Sequence, residues 1–183
     1  HQKEESEGKT YLRTRLISGT GLRCLHEVIY RDGASYLEIR THVENPSAQT
    51  QELEFLSAFS LGGITPFAED DAPNRLFVHR FRSAWSAEGR HEVRSVEELN
   101  LERSWIGHGV RSERFGQTGS LPVNGWFPWL GIEDRKAGVT WMAELATPGT
   151  WHLEIARTAD TLVLGGGGAD RLAGEWRKRL QPG

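Results

Sequence analysis

The stretch Leu37-Glu38-Ile39-Arg40-Thr41-His42-Val43-Glu44 decides how the rest of the chain is read. Leu37, Ile39, Thr41 and Val43 alternate with Glu38, Arg40, His42 and Glu44, the period of two that puts one set on each face of a strand. A half-buried strand is expected there. The same alternation recurs at Leu53, Phe55, Ser57 and Phe59, at Phe77, His79 and Phe81, and at Trp151, Leu153 and Ile155, where His152 and Glu154 face the other way. Turn formers lie between the runs. Asp32-Gly33 separates Val28-Ile29-Tyr30 from Tyr36-Leu37, and Pro148-Gly149 separates Val139–Leu145 from Thr150–Ile155, so an antiparallel hairpin is expected at each. Ser95-Val96-Glu97-Glu98 resembles a capping box that leads into at most one or two helical turns. The expected fold is all-β, an antiparallel two-sheet sandwich with little helix.

The first eight residues, HQKEESEG, carry five ionisable side chains and no apolar one. They are expected as a charged tail or linker end, with residues 9–183 as a single β-sandwich domain. The chain begins with His1, and its one methionine is Met142, so it is read as a piece excised from a longer protein.

Composition excludes several functions. Lys+Arg 22 against Asp+Glu 25 gives a net charge of -3, too weak a basic field to suggest a nucleic-acid or anionic-membrane partner. The longest uncharged run, Phe115 to Ile132, contains two prolines and four glycines and suits no membrane span. A single cysteine, Cys24, excludes an internal disulfide framework and a cysteine-rich zinc site, and fits a reducing, cytoplasmic compartment. Neither His26-Glu27 nor His91-Glu92 extends into a zinc-binding pair, so no metal and no cofactor is expected. The run Gly165–Gly168 lacks the lysine of a phosphate loop and is read as a flexible hairpin or loop. Asp70-Asp71 and Glu133-Asp134 are the acidic pairs a glycosidase would require, but both lie beside turn formers and are read as solvated turn carboxylates. No catalytic residue is assigned.

From Val123 to Ile132 the alternation has no polar face. Phe127 and Trp129 would point one way, and Trp126, Leu130 and Ile132 the other, which predicts a second apolar surface lying on this strand, from another domain or another subunit, with Pro128 at an edge or bulge. Seven tryptophans are many for this length. Trp141 and Trp151 sit in regular strands and read as core. Trp85, Trp105, Trp126 and Trp129 sit near Gly or Pro, where core or interdomain packing is the first reading and stacking on a sugar ring the second.

These tryptophans fall in word-like strings: RFRSAWSAEGR over 80–90, Ser104-Trp105 with Gly107-His108-Gly109, Arg114-Phe115-Gly116-Gln117, Gly125-Trp126-Phe127-Pro128-Trp129, and Asp134 with Gly138-Val139-Thr140-Trp141. Together with Ala169-Asp170-Arg171 and the segment from Trp176 to Gly183, they resemble the amino-terminal domain of glycoside hydrolase family 36, the bacterial α-galactosidases. The resemblance runs from about Gly8 to the end. It implies a β-supersandwich that precedes a catalytic (β/α)8 barrel, which carries the two aspartates for retaining hydrolysis of α-galactosides. It further implies a domain that packs on the barrel, contributes to oligomer contacts as part of a homo-oligomer, and lends loops to the substrate rim. Trp105, His108, Trp126, Phe127 and Trp129 are the substrate-rim or interdomain candidates. The competing reading is a free-standing carbohydrate-binding module that uses the same tryptophans.

Overall fold

The structure, a computed structural model, describes residues 1–65, 72–106, 108–121, 123–159 and 161–183. Asp70 and Asp71 lie outside the described residues. Period-two sequence becomes antiparallel strands throughout, and among the described residues there is no helix. The fold is an all-β sandwich.

Two sheets enclose the core. In the first, β7 (Leu76–Ser83) pairs on one edge with β8 (Arg90–Ser95). On its other edge it pairs with β10 (Gly125–Trp126) and then β11 (Trp129–Asp134), and β12 (Val139–Glu144) completes the sheet. The second has the order β6 (Ser57–Leu61), β14 (Thr161–Gly168), β13 (Trp151–Thr158) and β9 (Val110–Gln117). Val78, Leu130, Ile132, Trp151, Leu153 and Ile155, all at 0% exposure, bring the inner faces together. Each such side chain contributes about 1.5–3 kcal/mol relative to an exposed one, which makes this layer the main source of stability.

A third sheet stands apart from that core: β1 (Gln2–Ser6), β2 (Lys9–Ile17), β3 (Arg23–Arg31) and β4 (Leu37–Glu44), in sequential order. Asp32-Gly33 makes the expected hairpin between β3 and β4, with Gly33 at φ 78°. A two-stranded ribbon of β5 (Gln51–Leu53) and β15 (Lys178–Leu180) closes the list.

Four expectations meet a different outcome or a sharper one. Residues 2–6 are an exposed edge strand rather than a tail. A backbone ladder requires no apolar side chain, and Lys3–Glu5 and Arg13–Glu4 ion pairs match the charges along it. Pro148-Gly149 is not a hairpin turn: β12 and β13 belong to opposite sheets, so this segment crosses the sandwich. Burial explains the crossing, because Leu145 and Trp151 at its two ends both belong to the core cluster.

The glycine run is part of a central strand. A Cβ on Gly167 would stand 2.6 Å from the carbonyl oxygen of Leu56, and one on Gly166 2.8 Å from that of His152. The missing side chains therefore let β6 and β13 close on β14, with a register shift at Gly166/Gly167. The capping box forms as read, with Ser95 N–H donating to Glu98 at 2.7 Å and Glu98 N–H donating to Ser95 Oγ at 3.1 Å, and it closes turns rather than a helix.

Candidate functional site

The strand expected over 123–132 is two short strands with Phe127 and Pro128 between them. Pro128 has no N–H to give the ladder, and the backbone turns sharply there, with Trp129 N–H donating to Phe127 O at 2.7 Å. Phe127 N–H donates to Phe81 O, and Leu145 N–H to Pro128 O, so the kink is fastened on both sides. It leaves Trp126 and Trp129 on opposite faces of the sheet.

Trp126 faces inward. Its ring lies 5.3 Å from Phe115, with the guanidinium of Arg82 at 3.5 Å and that of Arg80 at 4.7 Å from its centroid. Arg80 occupies an inward position of β7, after Leu76 and Val78, and is 4% exposed. Two carboxylates neutralise it: Arg80 donates to Glu92 at 2.6 Å and to Glu113 at 2.7 Å, while its Nε has no hydrogen-bond partner. Burial raises the pKa of Glu92, but the hydrogen bond and charge of Arg80, with Arg82 behind it, outweigh that and hold the carboxyl below its ordinary value. The cluster is an ionic and aromatic clamp between the two sheets. Sequence reading missed Arg80, although an arginine in step with Leu76 and Val78 is a legible sign of a buried, paired charge.

Trp129 faces outward and lies against Gly131, where a Cβ would come within 2.9 Å of the indole. Its ring packs tilted against Phe81 at 5.0 Å, Phe81 stacks on His91 at 4.9 Å, and His91 stacks on His79 at 5.1 Å. His79 also faces Glu133 at 3.2 Å, and Arg135 holds the Glu133 carboxyl below its ordinary value. These rings form a row on the outer face of their own sheet. Aromatic pairs of this kind contribute about 0.5–1.5 kcal/mol each beyond their burial.

The remaining candidates lie elsewhere. Trp105 is 96% exposed and stands with exposed His108 in the segment before β9. Trp85, 95% exposed, stands just past the end of β7. The five residues singled out from sequence thus divide among the inner clamp (Trp126), the outer aromatic row (Trp129), the kink (Phe127) and the exposed segment before β9 (Trp105 and His108).

The acidic pair Glu133-Asp134 is also parted by its strand. Glu133 points to the outer face, whereas Asp134 is 4% exposed and accepts from the backbone N–H groups of Lys136 and Ala137, each at 3.0 Å. Asp134 is a turn cap. A second buried polar group, also unforeseen, joins His152 to Gly168 O at 2.9 Å and Asp170 to Arg114 at 2.8 Å. Burial and the neighbouring Arg114 push the His152 pKa down. For Asp170, burial raises the pKa, but the Ala173 N–H bond and Arg114 outweigh it and lower it.

These features define the class: an antiparallel β-sandwich whose polar clusters are held in ion pairs. No family model and no curated protein matches the chain. Among solved structures it is similar to the family 36 α-galactosidase AgaA from Geobacillus stearothermophilus, at 16% identity and TM-score 0.72, over 96% of this chain and 22% of that one. A variant of AgaA in complex with raffinose aligns over 100% of this chain and 23% of its own, at 15% identity and TM-score 0.74. AgaB from the same organism aligns over 96% and 22%, at 15% identity and TM-score 0.72. The chain therefore has the fold of a domain-sized part of family 36 α-galactosidases and spans less than a quarter of their length.

Proposed function

We propose that this chain is the non-catalytic amino-terminal domain of a retaining, α-galactosidase-like glycoside hydrolase. In this reading it seats on a (β/α)8 barrel that performs the chemistry, and its loops support oligomer contacts or the substrate rim. The observation that carries the reading is the alignment of nearly the whole chain with 22–23% of family 36 enzymes at TM-scores of 0.72–0.74. The carboxylates add support. Retaining hydrolysis uses two carboxyl groups about 5 Å apart, one with a raised pKa. Glu133 and Asp134 point to opposite faces, Glu92 and Glu133 are held low by arginines, and Asp170 is held low by the Ala173 N–H and Arg114.

A longer reading frame containing residues 1–183 and the sequence after Gly183 should hydrolyse an aryl α-galactoside, while residues 1–183 alone should not. Turnover by the purified chain that disappears on Glu133→Gln or Glu92→Gln would overturn the reading. The second reading, a free-standing carbohydrate-binding module, is favoured by the almost fully exposed indoles of Trp85 and Trp105. Quenching of tryptophan fluorescence by raffinose, lost on Trp85→Ala or Trp105→Ala, would select it.

A further inference from the structure

The outer face of the first sheet brings two histidines together. His79 on β7 pairs in register with Val93, and His91 on β8 with Phe81, so the two stand on neighbouring strands one diagonal step apart and on the same side. His79 Nδ1 and His91 Nε2 face each other at 3.0 Å. At the far edge of the first ring, His79 Nε2 faces Glu133 Oε2 at 3.2 Å, and Arg135 donates to that same carboxylate oxygen at 3.0 Å. An ionised carboxylate only accepts. The hydrogen of neutral His79 therefore sits on Nε2, and its Nδ1 is left with a lone pair turned toward His91.

We propose that His79 and His91 form a cross-strand binding site for a divalent transition-metal ion of the zinc and copper class. Two imidazole nitrogens suit that class and not magnesium or calcium, which take oxygen ligands. The spacing suits it as well: two nitrogens bound at about 2.0–2.1 Å and roughly 90–110° apart on one ion stand about 2.9–3.4 Å from each other. Glu133 stands behind His79 as a carboxylate stands behind a ligating imidazole, fixing its tautomer and orientation. Arg90 and Glu92, the chain neighbours of His91, take the opposite side of the strand, so the charged group that backs the pair is this carboxylate. His91 is exposed on the edge strand β8 and rests on Phe81, and the His79 side chain is 17% exposed, so an ion arrives from solvent. Among the described residues no group of three or more His, Cys, Asp or Glu side chains is arranged to hold an ion, so the protein supplies two nitrogens and water the other ligands. His91 frees its Nε2 by carrying its hydrogen on Nδ1. Two neutral rings then bind the ion without net proton release, and acid competes for the same lone pairs. The bound ion ties β8 to β7 and, through Glu133, to β11. The sequence gave no sign of it because a zinc-binding pair was sought within one segment, whereas these ligands come from two strands.

The untagged 183-residue protein is titrated calorimetrically with Cu²⁺ and with Zn²⁺ at about pH 7.5, where imidazole is neutral, and with Mg²⁺ as the hard-cation control. Uptake of Cu²⁺ and Zn²⁺ but not Mg²⁺ is expected, and electron paramagnetic resonance of the copper form should show two nitrogen ligands. His91→Phe keeps an aromatic ring on Phe81 and removes the ligating nitrogen. It should weaken this binding roughly tenfold or more and abolish the two-nitrogen signature, with an unchanged β-sheet circular dichroism spectrum. His91→Thr, a second substitution at the same exposed edge position, should give the same loss. Glu133→Gln should weaken binding roughly tenfold through the orientation of His79 while the two-nitrogen signature remains. At about pH 5.5 both ions should bind more weakly, because protons occupy the same nitrogens. A wild-type protein that takes up neither ion overturns the proposal without reference to any variant. Binding elsewhere, such as at exposed His1, would be equal in wild type and both His91 variants, and a titration that shows only such binding also overturns it.

Discussion

The β1–β4 sheet and the sandwich of β7–β14 are written in the same alternation and end in opposite states. In β4 the period of two is unbroken, yet Leu37 and Ile39 remain exposed. In β13 the same period places Trp151, Leu153 and Ile155 at 0% exposure, and even His152 on the reverse side is 3% exposed. The patterns differ little; the neighbours differ greatly. β13 has a partner on each edge and a facing sheet, whereas β4 ends its sheet and meets the sandwich chiefly at β6. Alternation thus specifies a strand and its two faces, but whether the apolar face is covered depends on a second layer that the strand does not encode.

The comparison can be broken most forcefully at Trp151. Trp151→Ala should cost about 3–5 kcal/mol in urea unfolding, because a fully buried indole leaves a cavity between two sheets. A loss under 1 kcal/mol would mean the sandwich is not the stabilising region. Gly167→Ala comes next, at about 1–3 kcal/mol, since its Cβ would press on the Leu56 carbonyl, a backbone atom that cannot swing aside. An unchanged melting temperature for Gly167→Ala would return the glycine run to the flexible loop expected from sequence.

A smaller effect should follow pH. His152 has a folded pKa below its ordinary value, so between about pH 6.5 and that lower value the unfolded chain binds a proton that the native chain does not. Stability should therefore fall as pH drops below about 6.5. Asp170, also lowered, adds a second loss at more acidic pH, where its native partners must give way to protonation below about pH 4. The first decline should flatten in His152→Asn, and an unaltered slope between pH 7.5 and 5.5 would rule out the buried neutral imidazole. The smallest effect belongs to the exposed side: Trp105→Ala should change unfolding free energy by no more than about 0.5 kcal/mol. A larger loss would show that this loop packs against something in solution.

Particular residues show how far the candidate site could be read in advance. Trp126, Leu130 and Ile132 share the inner face and Trp129 takes the outer one, as parity requires on either side of Pro128. The aromatic row beside Trp129 was not legible, because Phe81 and His91 lie on β7 and β8, some 40 to 50 residues earlier in the chain, and reach it only through strand pairing. Arg80 was half legible: its inward phase could be counted from Leu76 and Val78, but Glu92 and Glu113, which make it tolerable, come from two different strands.

The sequence by itself determined the elements: strands from a period of two, a hairpin at Asp32-Gly33, a capping turn at Ser95–Glu98 and a break at Pro128. Each follows from local backbone sterics and side-chain direction, which act within a few residues. Only the tertiary structure decided that Pro148-Gly149 crosses between sheets, that Gly165–Gly168 lies inside one, that residues 2–6 pair as an edge, and which apolar face stays bare. Those outcomes turn on which distant strands meet, because burial and ladder hydrogen bonds reward contacts between residues far apart in sequence, and no local pattern records the partner.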